Sequence, residues 1–237
     1  DDMPAKERNE DLSNTLEKVD KLVGVEDFKS LCHLIADVSE SEDAGLLRKY
    51  FKRATVVFSI SGGDGFSTYI RYLNEVLIYS DIMQLDEWRE IKEIKKAEDN
   101  EDMISDLKDI RGDGELIAFD LTFKLDSIDS EEFAKFLRDV KANRDNNLPV
   151  FKIPHLTGEQ KDKLIRLIEG VMPVILIDVP PFSISDYSEY ARRVLDEMYY
   201  DLDEKAFDEI EELIVRKQSK EYFYGFHSVK ALAEDIV

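Results

Sequence analysis

Cysteine is nearly absent: Cys32 stands alone in 237 residues, so no internal disulfide can form. Its setting, FKSLCHLIADV, is apolar-rich and suits a buried thiol in a reducing compartment. Histidine is scarce as well. His33, His155 and His227 lie far apart with no paired cysteine, which excludes a zinc-ligand spacing. Long apolar runs are missing, the longest being VMPVILI, far below the ~18 residues a membrane helix needs. The opening DDMPAKERNE is acidic and polar, unlike a secretory leader. The expected location is cytoplasmic. Positive charge is the last shortage: 32 Lys+Arg against 53 Asp+Glu give a net charge of −21. Such a surface repels nucleic-acid backbones and anionic lipid, both of which are held through clustered Lys and Arg. The basic groups Arg48-Lys49, Lys52-Arg53 and Arg192-Arg193 are too short to reverse that. The acid excess serves solubility, and the expected partners are other proteins, with no nucleic acid and no membrane.

What is present is a folding sequence, 43% hydrophobic and 10% aromatic. Its length fits one large domain, or a large one with a small one. Residues 11–38 carry apolar side chains at helical spacing, broken at Gly24. ATVVFSI is a continuous apolar run, as in a strand buried on both faces. After the glycine-rich turn, Tyr69, Ile70, Leu73, Val76 and Leu77 recur at three and four, predicting a helix. The charged region 81–111 reads as helical in part. GELIAFDLTF, LPVFKI and VMPVILIDV are further buried-strand patterns. Between them lie helices, with capping boxes expected at Asp129–Glu132 and Thr157–Gln160. Strands alternating with helices predict an α/β fold: a mostly parallel sheet with helices on both faces. From Pro180-Pro181 onward three helical patterns follow with no strand between them. The expected organisation is an α/β core over 1–180 and a small helical domain over 181–237.

Three passages carry a resemblance. LVGVEDFK (Leu22 to Lys29) is similar to the L-x-G-L-x-x-V-K leading segment of the AAA+ branch that includes red-type Rubisco activases and a stage V sporulation protein. FSISDYSEY (Phe182 to Tyr190) resembles the F-P-D-Y-S passage from the last strand into the lid. YGFHSVKAL (Tyr224 to Leu232) resembles the G-N-A-R-x-V-R-N-L start of the last lid helix. Strand, phosphate-type loop, helix and a C-terminal helical lid follow in the same order. The resemblance implies a P-loop NTPase-like AAA+ core with a lid, spanning nearly the whole chain.

The catalytic positions depart from that pattern. A phosphate loop needs Gly, four residues, then Gly-Lys-Ser/Thr, because backbone N–H groups cradle the phosphates, the lysine neutralises them and the hydroxyl holds Mg²⁺. Laid on this chain, those positions fall on Ile60, Gly65, Phe66 and Ser67. Gly62, Gly63 and Gly65 permit a tight turn, and Ser67 and Thr68 are placed to cap the helix. The cation is replaced by an apolar ring, and Asp64 sets a negative charge in the turn. The metal-and-water strand of the family ends in Asp-Glu; here Asp120 matches the metal-holding aspartate, but Leu121 stands where the water-activating glutamate belongs. IEGVMP, near the expected arginine finger, contains none, and the arginine that senses the γ-phosphate maps to His227.

The resulting expectation is a non-catalytic AAA+-like module with no catalytic residues and no cofactor, acting through protein contacts. A first alternative is an AAA+-type nucleotide-binding ATPase, sensing or weakly hydrolysing, that holds ATP or ADP with magnesium through Gly62, Gly63, Gly65, Ser67 and Thr68, with Asp120 on the metal. A second is an unrelated α/β enzyme with a pocket near Asp120, His155 and Asp178, at the carboxyl ends of the strands. DLDEKAFDEIEE has acids at calcium-loop positions 1, 3 and 12 but Ala206 in place of the required glycine, so it reads as an acidic helix start. The aromatic EYFYGFH reads as lid packing.

Overall fold

A computed structural model describes residues 5–84, 92–94, 116–200, 203–219 and 222–236. Helices α1 (Ala5–Asp20) and α2 (Glu26–Ser39) are parted at Gly24, as the broken pattern predicted. A short helix the periodicity did not reveal, α3 (Ala44–Phe51), leads into β1 (Thr55–Ser59), and α4 (Phe66–Tyr79) follows the glycine turn. β2 (Lys92–Ile94) corrects the helical reading of its region: these three residues are a strand, held by parallel pairing of Lys92 with Ile117 and Ile94 with Phe119. Pairing partners outweigh local composition there. The rest of that charged region, beyond residue 84, lies outside the described residues.

β3 (Leu116–Asp120) ends in a 3₁₀ turn (Thr122–Ser127), then come α5 (Glu131–Asn143), β4 (Leu148–Ile153), α6 (Gly158–Glu169) and β5 (Val174–Asp178). The chain finishes with α7 (Ile184–Glu197), α8 (Glu204–Gln218) and α9 (Gly225–Ile236). Helix starts are set by short polar side chains. Ser130, not Asp129, caps α5, accepting from the Phe133 N–H at 3.1 Å; Asp129 instead meets Lys163 at 2.6 Å. Thr157 and Gln160 form the expected box on α6, and Ser183 with Asp186 forms another on α7. Asp203 accepts from the Ala206 N–H at 2.8 Å, so the acidic run before α8 is a cap.

The strands are all parallel, in the order β2-β3-β4-β1-β5. Alternate side chains feed two apolar layers, which is why the strands read as continuous hydrophobic runs. Val56 and Phe58 join α1, α2, α4 and the three C-terminal helices, whereas Val57, Phe119 and Phe151 join α5 and α6. The first layer passes without interruption from the sheet into Tyr187, Ala191, Ile214 and Leu232, so the lid helices share the main core. Each such side chain, fully buried, contributes about 1.5–3 kcal/mol. Buried Arg144 ties α5 to the α3–β1 junction by donating to the carbonyls of Ala54 (2.6 Å) and Phe51 (3.0 Å).

Register positions the site. Ser59, at the end of the central β1, lies level with Asp178 on one side and Ile153 on the other, and Asp120 lies level with Lys152. The chemistry-bearing side chains therefore meet along the carboxyl edge of the sheet, beside the turn that follows β1.

Candidate functional site

The turn starts in the core. Ile60 is buried and donates its N–H to the Ile153 carbonyl at 2.9 Å. Gly65, with φ of 91°, is the N-cap of α4, and no side chain caps that helix. This corrects the expectation for Ser67 and Thr68: they are the second and third residues of α4, already past the cap. The left-handed glycine lets the chain enter the helix with its first N–H groups facing the turn, as an anion cradle requires. Phe66 does not face it. Its ring is 8% exposed and packs edge-on against Phe58, with centroids 5.5 Å apart.

A cation does stand nearby, on another strand. Lys152 Nζ lies 5.5 Å from the centroid of the Phe66 ring and 3.1 Å from Asp120 Oδ2. The Thr122 N–H donates to Asp120 Oδ1 at 3.0 Å. Burial alone would raise the Asp120 carboxyl, but the hydrogen bonds from Thr122 and Lys152 outweigh it and hold the group below its ordinary value. Leu121 is fully buried, with its N–H on the Lys152 carbonyl at 2.9 Å. At the other side of β1, Asp178 meets Lys161 Nζ at 2.6 Å. Burial would raise Asp178 too, and hydrogen bonds from Lys161 and Ser59 lower it. His155 Nδ1 is 3.5 Å from Ser59 Oγ, and its buried Nε2 has no partner among the described residues. Ser59, His155 and Asp178 thus come together, but not as a nucleophile triad. The aspartate takes the serine hydroxyl rather than the imidazole, and Ser59 is 1% exposed.

The lid closes directly on the turn. Asp64 is 3% exposed and accepts a hydrogen bond from the Tyr187 hydroxyl of α7 at 2.9 Å. Burial pushes its carboxyl up, with the Tyr187 bond and nearby His155 opposing. At the start of α9, a Cβ on Gly63 (φ 87°) would overlap the Tyr224 carbonyl, and one on Gly225 (φ 48°) would overlap Asp64 Oδ1 and the Gly63 backbone. Only glycine at both places lets the two backbones meet. The Tyr224 ring lies over Gly62, where a Cβ would stand 3.0 Å from Cε2, and stacks on exposed His227 with centroids 5.7 Å apart. Tyr187 is boxed in by Phe182, Phe223 and Phe226 at 5.0–6.0 Å, so the aromatic cluster packs the lid as expected.

A cleft of about 1060 Å³ opens between the end of α1, the start of α4 and the lid, lined among others by Leu22, Thr68, Tyr69, Tyr190 and Phe226. None of Asp120, His155 and Asp178 lines it. Among the described residues no group of three or more His, Cys, Asp or Glu is placed to hold a metal ion, and no helix is long and apolar enough to cross a membrane.

No family profile and no curated protein matches the chain. Solved structures do. The chain is similar to the RuvB Holliday junction branch migration motor of Thermotoga maritima at 14% identity and a TM-score of 0.53, over 90% of this chain and 61% of RuvB. A second RuvB structure from that organism matches at 14% identity and a TM-score of 0.55, over 91% of this chain. The chain has the P-loop NTPase-like α/β fold of the AAA+ type that these structures share. This chain spans 62% of the length of that second RuvB structure. The likeness bears on the fold alone, and runs against an α/β fold unrelated to the AAA+ type. Sequence reasoning had found Asp64, Phe66 and Asp120 but missed Lys152, Tyr187 and Tyr224. A lysine inside the otherwise apolar LPVFKI was the one visible signal, since a cation in a buried strand needs a partner.

Proposed function

We propose that this chain is a non-catalytic AAA+-like module, ATP hydrolysis lost, that works as a structural or regulatory protein-interaction subunit. The observation that carries this reading is the Lys152–Asp120 ion pair over the Phe66 ring. In a working site a cation neutralises phosphate and an aspartate holds the metal. Here the aspartate is satisfied by a lysine of its own chain, the phosphate-side position is an inward-facing phenylalanine, and the water-activating position is buried Leu121. The residues do not fit Mg·ATP chemistry: a divalent ion at Asp120 would have to displace Lys152. The absence of all these features together, with the scaffold intact, supports a degenerate member, and the passages LVGVEDFK, FSISDYSEY and YGFHSVKAL support the closer likeness to the Rubisco-activase-like branch. Residues 1–180 act as the core and 181–237 as the lid. The partners are other proteins, in the cytoplasm, with no resident cofactor.

A second reading, nucleotide sensing, is favoured by one feature. The turn keeps left-handed Gly63 and Gly65, with Gly65 as the N-cap of α4, and the adjoining cleft is large enough for a nucleotide. In that reading Gly62, Gly63, Gly65, Ser67 and Thr68 hold the phosphates of ATP or ADP and Asp120 the magnesium. Titration calorimetry with Mg·ATP and Mg·ADP separates the two. No detectable heat from folded protein is the expected result; a Kd tighter than ~100 μM would move the assignment to nucleotide sensing.

A further inference from the structure

Helix α3 turns one face outward. Leu46, Lys49 and Tyr50 are spaced at three and four along it, and all are exposed, Leu46 at 64% and Tyr50 at 42%; Arg53, in the turn past the helix, is exposed too. Lys52, the C-cap, is exposed beside them, and a Cβ on Gly45 would meet nothing within 4 Å. The opposite face carries Ala44 and Phe51 into the core. The Tyr50 hydroxyl reaches the Val174 carbonyl at 3.5 Å, so this face adjoins the edge strand β5.

Charge sets this face apart. Arg48, on the neighbouring side of α3, is engaged by Asp81 at 2.7 Å. Lys49, Lys52 and Arg53 pair with no carboxylate among the described residues, in a chain whose acids outnumber its bases by 53 to 32. Glu42 and Asp43, the nearest acids in sequence, lie at the other end of the helix. Three free cations interleaved with exposed leucine and tyrosine form a surface complementary to carboxylates around an apolar anchor.

We propose that the outward face of α3 and the turn after it dock an acidic polypeptide segment. Lys49, Lys52 and Arg53 take its carboxylates, and Leu46 and Tyr50 take an apolar side chain. This rests on the reading of the chain as an interaction module. A polypeptide suits the face better than nucleic acid does. A duplex carries one charge per ~1.7 Å along its whole length and would extend over the surrounding acidic surface. A short acidic segment covers the cationic face alone, and beyond ~10 Å the remaining charges are screened at 0.1 M salt.

The test is fluorescence anisotropy with a labelled peptide of glutamates carrying leucine at every third or fourth position, beside a counterpart with lysines for the glutamates. The acidic peptide is expected to bind. The triple variant Lys49→Glu, Lys52→Glu, Arg53→Glu should weaken it about tenfold or more, with circular dichroism unchanged because these side chains are exposed. Leu46→Ser should weaken it as well, and the lysine peptide should not bind. Equal binding by the parent and triple variant, or no binding at low salt, overturns the proposal. Tighter binding of a short DNA duplex at the same face would reassign it to nucleic acid. Self-association in ultracentrifugation that the triple variant abolishes would reassign it to a second copy of this chain. Calorimetry with Mg·ATP on the same samples reads the other claim: nucleotide binding would move the proposed function to nucleotide sensing and leave the peptide result standing.

Discussion

Asp64 is the residue at which stability and shape conflict. Its carboxyl is buried, so charging it is disfavoured, and its main compensation is one hydrogen bond from Tyr187. The direction of its shift fixes a pH effect. A folded-state pKa above the unfolded value means the folded chain binds the proton more tightly. The stabilisation is complete below the unfolded value near 3.8 and disappears as pH rises through the folded one. At neutral pH the ionised Asp64 therefore works against folding. Asp64→Asn keeps an acceptor for the Tyr187 hydroxyl and removes the charge. It should raise the melting temperature at pH 7.5 by about 2–4 °C, the equivalent of ~1 kcal/mol in a chain of this size. The gap between variant and parent should close as pH falls toward the carboxylate range. A variant that melts lower than the parent at pH 7.5, with that deficit closing in acid as the parent's carboxyl protonates, would mean that the ionised group holds the lid in place.

At the scale of elements, the contact that matters is between the glycine turn and the first turn of α9. Other joins in this fold rest on side chains that have substitutes: α5 takes its cap from Ser130 although Asp129 stands next to it, and β2 pairs despite its charge. The turn–lid join has no such slack, because Gly63 and Gly225 meet backbone to backbone and both sit at positive φ. Gly225→Ala brings a Cβ onto Asp64 and Gly63 and forces an L side chain to remain at a left-handed backbone. The combined cost is about 2–3 kcal/mol, borne locally by separation of α9 from the turn. Amide exchange should show it: protection over 62–65 and over α9 should fall about a hundredfold, while the amides of β1 and β4 keep theirs. Uniform loss across the sheet would mean that lid and core unfold as one unit, which the shared apolar layer also permits, and the local-opening view would then be wrong.

For the molecule as a whole, the sequence showed the parts that depend on pattern and hid those that depend on meeting. Continuous apolar runs announced β1, β3, β4 and β5, and three helices without strands announced the lid, because burial on two faces or one leaves a period to read. The departures at Phe66 and Leu121 from the residues that a phosphate loop and a metal-and-water strand require were legible as well, since both motifs need particular residues at particular steps. The Lys152–Asp120 pair was not, because it depends on which strands become neighbours; nor was the Asp64–Tyr187 bond, whose partners are 123 residues apart. Net charge is the one whole-chain property that was plain from the start, and it leads to a prediction of its own. At −21 the folded chain repels itself, while its internal ion pairs pull the other way. Exposed pairs such as Lys163–Asp129 and Arg216–Glu212 contribute at most ~1 kcal/mol each and are screened as readily as the repulsion. The Lys152–Asp120 pair, mostly shielded from solvent, is screened less. Self-repulsion therefore dominates the salt dependence. Raising NaCl from ~10 mM, where the screening length is ~30 Å, to ~0.5 M should raise the melting temperature by on the order of 5 °C at pH 7.5. The rise should shrink near pH 5, as carboxylates begin to protonate and the net charge falls. A melting temperature that drops with salt at pH 7.5 would place the weight of stability on the ion pairs.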